Sequence, residues 1–574
     1  METLQQDGRI VNSGPGRPRK RTQKKEAQII SYLFQSALVD GGLPSDEALG
    51  QRFGLGGRTV RQIRLDHGIN RWDVRRWRKS GQTIDPNGQD GAFCYTPFAG
   101  LWLLVPLLLK AAWARAVSAL KWPFRTTITG WQFTLTLVMW SVLNFQRFWH
   151  LDDFRNRADL GLALFTGRRR LLADSTLWKL VHSLERKVER SFYDTTAAAN
   201  IDPEDPDSAA VISFDDHVVP SFTKLEPAPL PKTRVPTRGR SYPANRMYYH
   251  FDLKKGRILG LEVKHKRLSQ ILPELIQEVR RLKRLAGHPD PDRLRIIFDR
   301  GGYKGSLFKK LMEDPNLIFL TMACCYARSV RQWEAIPEKK FQPYQPPGEG
   351  NPNLKIADTT TKIRDCAYPL RSIVIRDGTP DTKQRWRVLF TNDQESEPEV
   401  LDREYRSRQG HENIYSELKY GLAGDNLPKA YHLLREDNAQ GEKRKTFGTY
   451  LNEQTTKDIH LVGWIRGLGL NLVHDFGAAL GDPYARMKVK TLVRKFIARP
   501  GKLKFSDGVL RVQLEPFDEI SALQPWLDEI NGQGLRIPWL GDRLLRIEIA
   551  QRPSGMIPGR VPLSSRIFAN SLPL

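Results

Sequence analysis

The sequence predicts an α/β fold, and two observations in residues 206–322 carry that prediction. Short apolar runs typical of strands lie at 211–214, 247–253, 258–264, 293–298 and 317–322, with helical patterns at 267–286 and 304–313. Two of these runs end on acids: Val211–Phe214 precedes Asp215-Asp216, and Leu294–Phe298 precedes Asp299. Strand ends in an α/β sheet border the crevice where ligands bind, so these aspartates are candidate site residues. The alternative is that they are turn formers, as Asp after a strand often is.

Composition limits the function classes. The chain has 574 residues, 40% of them hydrophobic, with 14 Trp, which predicts several domains with sizeable cores. The net charge of +26 predicts a polyanionic partner, and nucleic acid fits better than a membrane surface because the charge is spread along the chain. Four cysteines without ligand spacing, and a polar, basic N-terminus, favour a reducing cytoplasm over secretion.

Residues 1–24 are expected to be a disordered basic tail. Within it, the segment from Pro15 to Arg21 resembles an AT-hook, an extended Gly-Arg-Pro core that lays arginines into a narrow minor groove. The DNA-contacting candidates there are Arg17 and Arg19. A solvated basic tail is the alternative interpretation.

Residues 25–85 predict a small helical module. Ser45 is a suitable N-cap for a helix over Asp46–Phe53, and Gly54–Gly57 forms a turn before a second helix. That second helix carries three arginines spaced for one face: Arg58, Arg61 and Arg64. A helix, a glycine-bearing turn and a basic helix favour a helix-turn-helix with its second helix in the major groove. A helical hairpin with a solvated basic face is the alternative.

Residues 86–200 predict a helical domain. Gly91 to Leu109 contains no charge, and its length approaches that of a membrane span. Pro97, Pro106 and the basic residues that follow favour a buried core helix instead. Residues 127–195 alternate apolar helices with basic runs.

A second group of β-type runs follows the first five strands. The runs at 371–376 and 385–390 favour a strand pair joined around Asp377-Gly378. We expect a β-strand insertion over residues 323–398, with Trp386 packed in its sheet as the simplest interpretation.

The segment Tyr405–Lys419 completes the candidate site. On a continuous helix, its residues Tyr405, Arg408, Glu412 and Lys419 fall within an arc of roughly 60°. An aromatic ring, two cations and a carboxylate on one face suit a divalent metal and the phosphates beside it. An exposed face with ordinary ion pairs is the alternative.

The spacing Tyr-x2-Arg-x3-Glu-x6-Lys resembles the YREK signature of DDE transposases from bacterial and archaeal insertion sequences. The strand followed by Asp299-Arg-Gly-Gly-Tyr303 resembles that family's second acidic motif. The first motif, usually Asp-x-Thr, is similar to Asp215-Asp216-His217, where His replaces Thr and the choice between Asp215 and Asp216 stays open. We favour Asp215, the first residue past the strand.

The resemblance implies an RNase H-like catalytic core with an all-β insertion, preceded by helical DNA-binding domains. It implies catalytic and metal-binding roles for Asp215, Asp299 and Glu412, which would hold two Mg²⁺ ions, with Mn²⁺ as a substitute. Arg408 and Lys419 would hold phosphates, Tyr405 would contact a phosphate or a displaced base, and Trp386 would receive a flipped base.

Cut-and-paste DNA transposition is therefore the expected function, with hairpin ends implied by the YREK branch. The expected partners are double-stranded DNA (terminal repeats and target) and a second copy in a paired-end homodimer, with no membrane and no nucleotide cofactor. The location would be the cytoplasm, on the nucleoid. A repurposed or inactive transposase acting as a DNA-binding regulator is the alternative.

The predicted boundaries follow from these features. They are a tail (1–24), a helix-turn-helix module (25–85), a helical domain (86–200), a core in two parts (206–322 and 399–480) separated by the insertion (323–398), and a basic C-terminal region (481–574). Within the last region, residues 483–504 are expected to contact phosphates.

Overall fold

The computed structural model describes residues 28–29, 32, 44–66, 93–156, 159–220, 232–235, 240–264, 266–346, 351, 353–377, 386–422 and 443–550. These residues form a mixed α/β structure with two sheets and many helices, which confirms the predicted fold class at that level. The AT-hook-like segment, with Arg17 and Arg19, lies outside the described residues.

The N-terminal helix pair forms where the caps predict it. Helix α1 (Asp46–Phe53) begins after Ser45, whose hydroxyl accepts a hydrogen bond from the Ala48 amide at 3.0 Å. It ends at Gly54, whose φ of 66° suits glycine, and α2 (Gly57–Asp66) follows. The two helices and their turn are confirmed, and contact with DNA stays a prediction.

Residues 93–198 form strand β1 and a set of helices. The uncharged stretch is buried as predicted, but it is not one helix: β1 (Phe93–Thr96) leads into a 3₁₀ turn (Ala99–Leu104) and a short helix. Among the described residues, no single helix is long and apolar enough to cross a membrane. The helices are α3 (Val105–Leu108), α4 (Ala111–Ser118), α5 (Gly130–Val142), α6 (Trp149–Asn156), α7 (Leu160–Phe165), α8 (Asp174–Ser183) and α9 (Arg186–Ala198).

The larger sheet is built around two parallel strand pairs. Strand β2 pairs parallel with β7, and β7 pairs parallel with β8, while β5 pairs antiparallel with β2 and with β6. The strands are β2 (Val211–Phe214), β3 (His217–Pro220), β4 (Lys232–Val235), β5 (Arg240–Asp252), β6 (Arg257–Lys264), β7 (Leu294–Phe298) and β8 (Leu317–Met322). Helices α10 (Leu268–Leu285) and α11 (Gly305–Met312) connect the later strands. The predicted elements occur in the predicted order, but β3, β4 and the start of β5 at Arg240 were not predicted.

The predicted insertion is continuous with this sheet. After α12 (Ala327–Glu334) come β9 (Gln342–Pro343), β10 (Leu354–Thr361), β11 (Leu370–Asp377) and β12 (Trp386–Thr391). Strands β11 and β12 pair antiparallel as predicted, and β12 also pairs with β8. The strands expected of the insertion therefore extend the larger sheet, with β12 covering the edge of β8.

The C-terminal region forms a second sheet with strand order β1-β13-β14-β16-β15. Its inner side packs on the Ala99–Leu104 turn and on the helix Ile520–Gln533. Trp526 of that helix donates a hydrogen bond to the Leu103 carbonyl at 3.1 Å. The remaining elements are α13 (Pro398–Ser407), α14 (Gln409–Gly421), α15 (Lys443–Ala479), α16 (Val489–Leu492), β13 (Gly501–Ser506), β14 (Val509–Leu514), α17 (Ile520–Gln533), β15 (Arg536–Ile537) and β16 (Arg543–Ile549).

Candidate active site at the carboxyl ends of two parallel strands

Asp215 and Asp299 occupy equivalent positions on neighbouring strands. In the parallel pair of β2 and β7, Phe214 is the partner of Phe298, and each phenylalanine is followed directly by an aspartate. Adjacent strands lie about 4.8 Å apart, so the two aspartates leave the sheet side by side. The buried side chains Ile212, Phe214, Ile296 and Phe298 fix this register.

The loop after β7 holds Asp299 in place. Its Oδ1 accepts a hydrogen bond from the Gly301 amide at 2.6 Å, and its carbonyl accepts one from the Thr321 hydroxyl at 3.3 Å. A Cβ atom at Gly301 would lie 2.9 Å from Asp299 Oδ1, and one at Gly302 would lie 2.4 Å from the Phe298 ring. The two glycines therefore allow the chain to turn tightly beneath the carboxylate.

Arg408 connects the third predicted acid to the strand ends. One guanidinium nitrogen donates to Asp215 Oδ2 at 3.2 Å, and another donates to Glu412. Arg408 lies at the junction of α13 and α14, so the expectation that Tyr405, Arg408, Glu412 and Lys419 share one continuous helix is wrong. The chain breaks where the guanidinium turns toward Asp215.

The carboxylates repel each other at this edge. Burial, followed by repulsion from Asp299, raises the pKa of Asp215 to about 6, and the positive charge of Arg408 only partly offsets this. Burial would lower the pKa of Arg408, but Tyr405, Asp215, Glu412 and Asp299 outweigh it and raise that pKa. A buried acid with a perturbed pKa beside a second acid is typical of functional sites.

Asp216 has a different partner. Its carboxylate forms an ion pair with Arg246 of β5, and among the described residues its buried Oδ1 has no hydrogen-bond partner. Burial raises the pKa of Asp216, although Arg246 opposes the shift. Of the two candidates for the first acid, Asp215 is the one that follows the strand paired with β7 and meets Arg408.

A stack of rings that the sequence did not predict supports the strand ends. Buried His411 shares a 2.8 Å hydrogen bond with the Ser213 hydroxyl through its Nδ1 and stacks on Tyr415 with centroids 4.7 Å apart. Tyr415 also stacks on His217 and donates to the Asp215 carbonyl at 3.1 Å. Burial lowers the pKa of His411 to about 3, so the ring is neutral. In the sequence, the four-residue spacing of His411 and Tyr415 was the feature that could have indicated that their rings stack.

The acids fit a divalent metal in chemistry, but not as an assembled set of three. Asp215 and Asp299 offer carboxylate oxygens at one edge, and their mutual repulsion would be relieved by a cation. Glu412, with a side chain 43% exposed, is turned toward Arg408. In the described part of the chain, no group of three or more His, Cys, Asp or Glu residues is placed to hold a metal ion.

Three of the predicted DNA contacts are buried or partly covered. Tyr405 is 7% exposed within an apolar cluster, and its expected contact with a phosphate or base stays a prediction. Trp386 is half-buried and lies 6.5 Å from the Trp333 ring, which agrees with packing in the sheet. Arg64 is 8% exposed and bonded to Asp46 at 2.8 and 3.0 Å, so it is not a surface arginine.

The remaining predicted DNA contacts lie nearer the surface. Arg58 and Arg61 are exposed on α2, and Lys419 is half-buried on α14 with its Nζ 5.3 Å from the Tyr420 ring. The structure therefore brings Asp215, Asp299, Arg408 and Glu412 together and leaves Arg58 and Arg61 on a separate element.

No protein-family model matches the chain, and no curated protein matches it. One solved structure that matches is the cryo-EM structure of the piggyBac transposase synaptic complex with hairpin DNA. The identity is 14%, the alignment covers 71% of this chain and 88% of that chain, and the TM-score is 0.33. A TM-score of that size does not establish a shared fold, so function is inferred below from the site itself.

Proposed function

We propose that the chain is a DNA transposase of the DDE type, which cuts the ends of its element and joins them to target DNA. One observation carries the proposal: Asp215 and Asp299 follow residues that are partners in adjacent parallel strands. Two carboxylates held side by side at the carboxyl edge of a sheet suit metal-assisted phosphoryl transfer.

The strand arrangement supports an RNase H-like core. Three antiparallel strands (β2, β5 and β6) are followed by helix α10, parallel strand β7, helix α11 and parallel strand β8. A later helix, α14, brings Glu412 toward the same edge through Arg408. This is the element order that the sequence predicted for such a core.

Asp215, Asp299 and Glu412 would hold Mg²⁺, or Mn²⁺ in its place. These carboxylates would position a metal that activates a water, or the 3′-hydroxyl of the cut DNA strand, as nucleophile and stabilises the leaving oxygen of the scissile phosphate. Release of Glu412 from Arg408 would free its carboxylate as a ligand and free the guanidinium to bind a phosphate oxygen. Lys419 would hold a neighbouring phosphate.

The DNA partner follows from charge. With 90 basic and 64 acidic residues, the chain should bind duplex DNA with a steep salt dependence of about −0.9 per phosphate contacted. The exposed arginines Arg58 and Arg61 of α2 are candidates for the contact with terminal repeats. Pairing of two ends would involve a homodimer, and hairpin ends would be the cleavage intermediate.

A second candidate function is a DNA-binding regulator derived from a transposase. The contact of Arg408 with both Asp215 and Glu412 favours it, because the guanidinium neutralises these carboxylates without a metal. His217 is a further departure from the expected threonine, and its ring is stacked on Tyr415. Such a protein would bind DNA equally well in EDTA and cut nothing.

The deciding experiment is cleavage of a duplex that carries the gene's own flanking sequence. We expect Mg²⁺-dependent nicking and a hairpin product from the wild type, and at least a thousand-fold less from Glu412→Gln and Asp299→Asn. Glu313→Gln, which removes an exposed acid at the C-terminal cap of α11, is the charge-matched control and should cleave normally. Tight binding without cleavage by any variant would favour the regulator.

A further inference from the structure

The outer face of the C-terminal sheet is strongly basic. Along β13 and β14 the side chains alternate strictly, with Leu503, Phe505, Leu510 and Val512 buried on the inner face. The opposite face presents Lys502 and Lys504 on β13 and Arg511 on β14. Strand β1, from a segment some four hundred residues earlier, adds Phe93 and Tyr95 to this face, opposite Lys504 and Lys502.

The cations of this face stand next to one another. Lys504 is the direct partner of Arg511, and Arg511 is the partner of Arg546 in the parallel pair of β14 and β16. Three positive side chains therefore lie in one row across three adjacent strands, about 4.8 Å apart. Like charges directly opposite each other destabilise a sheet. This row of like charges therefore lowers the stability of the sheet, and the packing of the sheet does not require it.

Acidic neighbours do not explain the row. In the part of the chain that the structure describes, no carboxylate forms an ion pair with Lys502, Lys504 or Arg511. Arg546 donates a hydrogen bond to the carbonyl of Asn531. Glu548 shares the face but lies in the next row, which runs from Lys502 through Gln513 to Glu548. Among the described residues, no carboxylate forms an ion pair with Lys504, Arg511 or Arg546, so this row can accept an anion from outside the sheet.

The aromatic residues of the face position a cation. The Lys502 Nζ lies 4.2 Å from the centre of the Phe93 ring, and the Phe93 and Tyr95 rings meet edge to face at 6.0 Å. A ring covered by a lysine is not a platform for a base, so this geometry favours contact with a sugar–phosphate backbone over stacking on bases.

We propose that Lys502, Lys504 and Arg511, with Arg546 at the end of the row, form a phosphate-binding surface for duplex DNA, separate from the strand-end acids. The choice of DNA among polyanions rests on the proposed function. The contacts would be to the backbone, so they would add affinity without reading sequence.

The test compares two triple variants of the full-length protein. K502Q/K504Q/R511Q removes the surface, whereas K187Q/K266Q/R284Q removes three exposed cations that are already paired with Glu185, Glu274 and Asp292. Affinity for a random-sequence 30-base-pair duplex is measured in EDTA by fluorescence anisotropy at several salt concentrations, with a duplex RNA of the same length in parallel. Thermal unfolding of every protein is recorded.

We expect the surface variant to bind duplex DNA at least about tenfold more weakly, with a salt slope reduced by about three, one unit per lost phosphate contact. Its melting temperature should be unchanged or higher, because like charges have been separated. The control triple should bind within about twofold of the wild type.

Equal affinity and salt slope in the surface variant and the control triple would overturn the proposal. So would a loss of affinity confined to RNA, which would identify RNA as the partner. The measurement in EDTA is independent of cleavage. A wild type that binds through this surface but cuts no DNA would overturn the proposed enzyme and leave the surface standing.

Discussion

The ionised Asp215 carboxylate lowers the stability of the folded protein. Its pKa of about 6 is above the ordinary 3.8, so the folded state binds the proton more tightly than the unfolded state does. The resulting destabilisation is fully present above about pH 6 and is relieved as the pH falls toward 3.8. Active sites commonly carry such a cost.

Asp215→Asn should therefore stabilise the metal-free protein while abolishing cleavage. Removing the charge relieves repulsion from Asp299, and the weaker bond to Arg408 offsets part of the gain, which leaves roughly 1–2 kcal/mol at pH 7.5. Thermal unfolding in EDTA measures it, and the gain should vanish near pH 4. A variant less stable than the wild type at pH 7.5 would contradict this account.

Arg408→Gln tests the role of the guanidinium between two acids. Without it, Asp215 and Glu412 lose their cationic partner, so Mn²⁺ should bind the DNA-free protein several-fold more tightly in calorimetric titration. Cleavage should nonetheless fall, since a phosphate contact is lost. Arg403→Gln, on the exposed side of the preceding helix α13, is the control. Weaker Mn²⁺ binding by Arg408→Gln would argue that the arginine orients the acids instead.

The position of a single residue was predictable only where the local pattern indicated both the direction of its side chain and its burial. The acids at 215 and 299 follow apolar strands, so their position at the sheet edge could be inferred. For Arg64 and Tyr405, helical spacing gave the angle around the axis but not which face would be covered. Arg64 is drawn inward by Asp46, eighteen residues earlier, and such a pairing leaves no periodic signal.

At the scale of elements, α9 and α10 are joined by an ion network around Glu278. Arg190 and Arg281 donate to its carboxylate at 2.5 and 2.9 Å, and Arg281 also binds Asp194. Burial alone would raise the pKa of Glu278, but these arginines outweigh it and lower the pKa to about 2. The network therefore contributes stability above about pH 4.5, which is lost as the pH falls through 2.

Glu278→Gln should destabilise the protein by up to about 3 kcal/mol at pH 7, because two partly buried arginines lose their partner. The difference from the wild type should shrink steadily between pH 4.5 and pH 2. Denaturant unfolding at several pH values checks it. Glu274→Gln, whose side chain is 47% exposed, should cost under about 0.5 kcal/mol. A pH-independent loss in Glu278→Gln would point to packing instead.

In the helix pair α1 and α2, Arg64 is expected to stabilise the fold and Arg58 to bind DNA. Arg64→Ala leaves Asp46 buried without its charge partner and should destabilise the pair by about 3 kcal/mol, seen as early loss of helix in thermal scans. Arg58→Ala should leave the melting curve unchanged and weaken binding to terminal-repeat DNA. If Arg58→Ala had no effect on binding, α2 would not face the duplex.

Elements were predictable where their pattern was local. Apolar runs bounded by polar residues gave β2, β6, β7 and β8 within one residue at each end. The break at Arg408 was not predicted, because most residues around it, apart from Gly410, favour helix. Strand β10 was missed because its sequence, Leu-Lys-Ile-Ala-Asp-Thr-Thr-Thr, is apolar only at its start.

For the whole molecule, the C-terminal sheet joins strand β1 near residue 93 to residues 501–549. Phe93–Thr96 pairs with Gly501–Ser506, and the inner face of the sheet belongs to the same core as Trp102 and Leu103. No local pattern could predict this, since pairing across four hundred residues is set by tertiary packing. Residues 501–549 thus have a structural role that their sequence did not reveal.

Deleting residues 481–574 should therefore give an insoluble protein and not a soluble core with weaker DNA binding. The deletion removes the partner strand of β1 and uncovers the buried turn at Ala99–Leu104, so an unpaired edge and an apolar surface are exposed together. Soluble yield and size-exclusion elution test this, with K502Q/K504Q/R511Q as the control that loses charge and keeps the sheet. A monodisperse, folded deletion variant would show that the helical and strand-end parts fold without it. The sheet would then be an accessory to DNA binding alone.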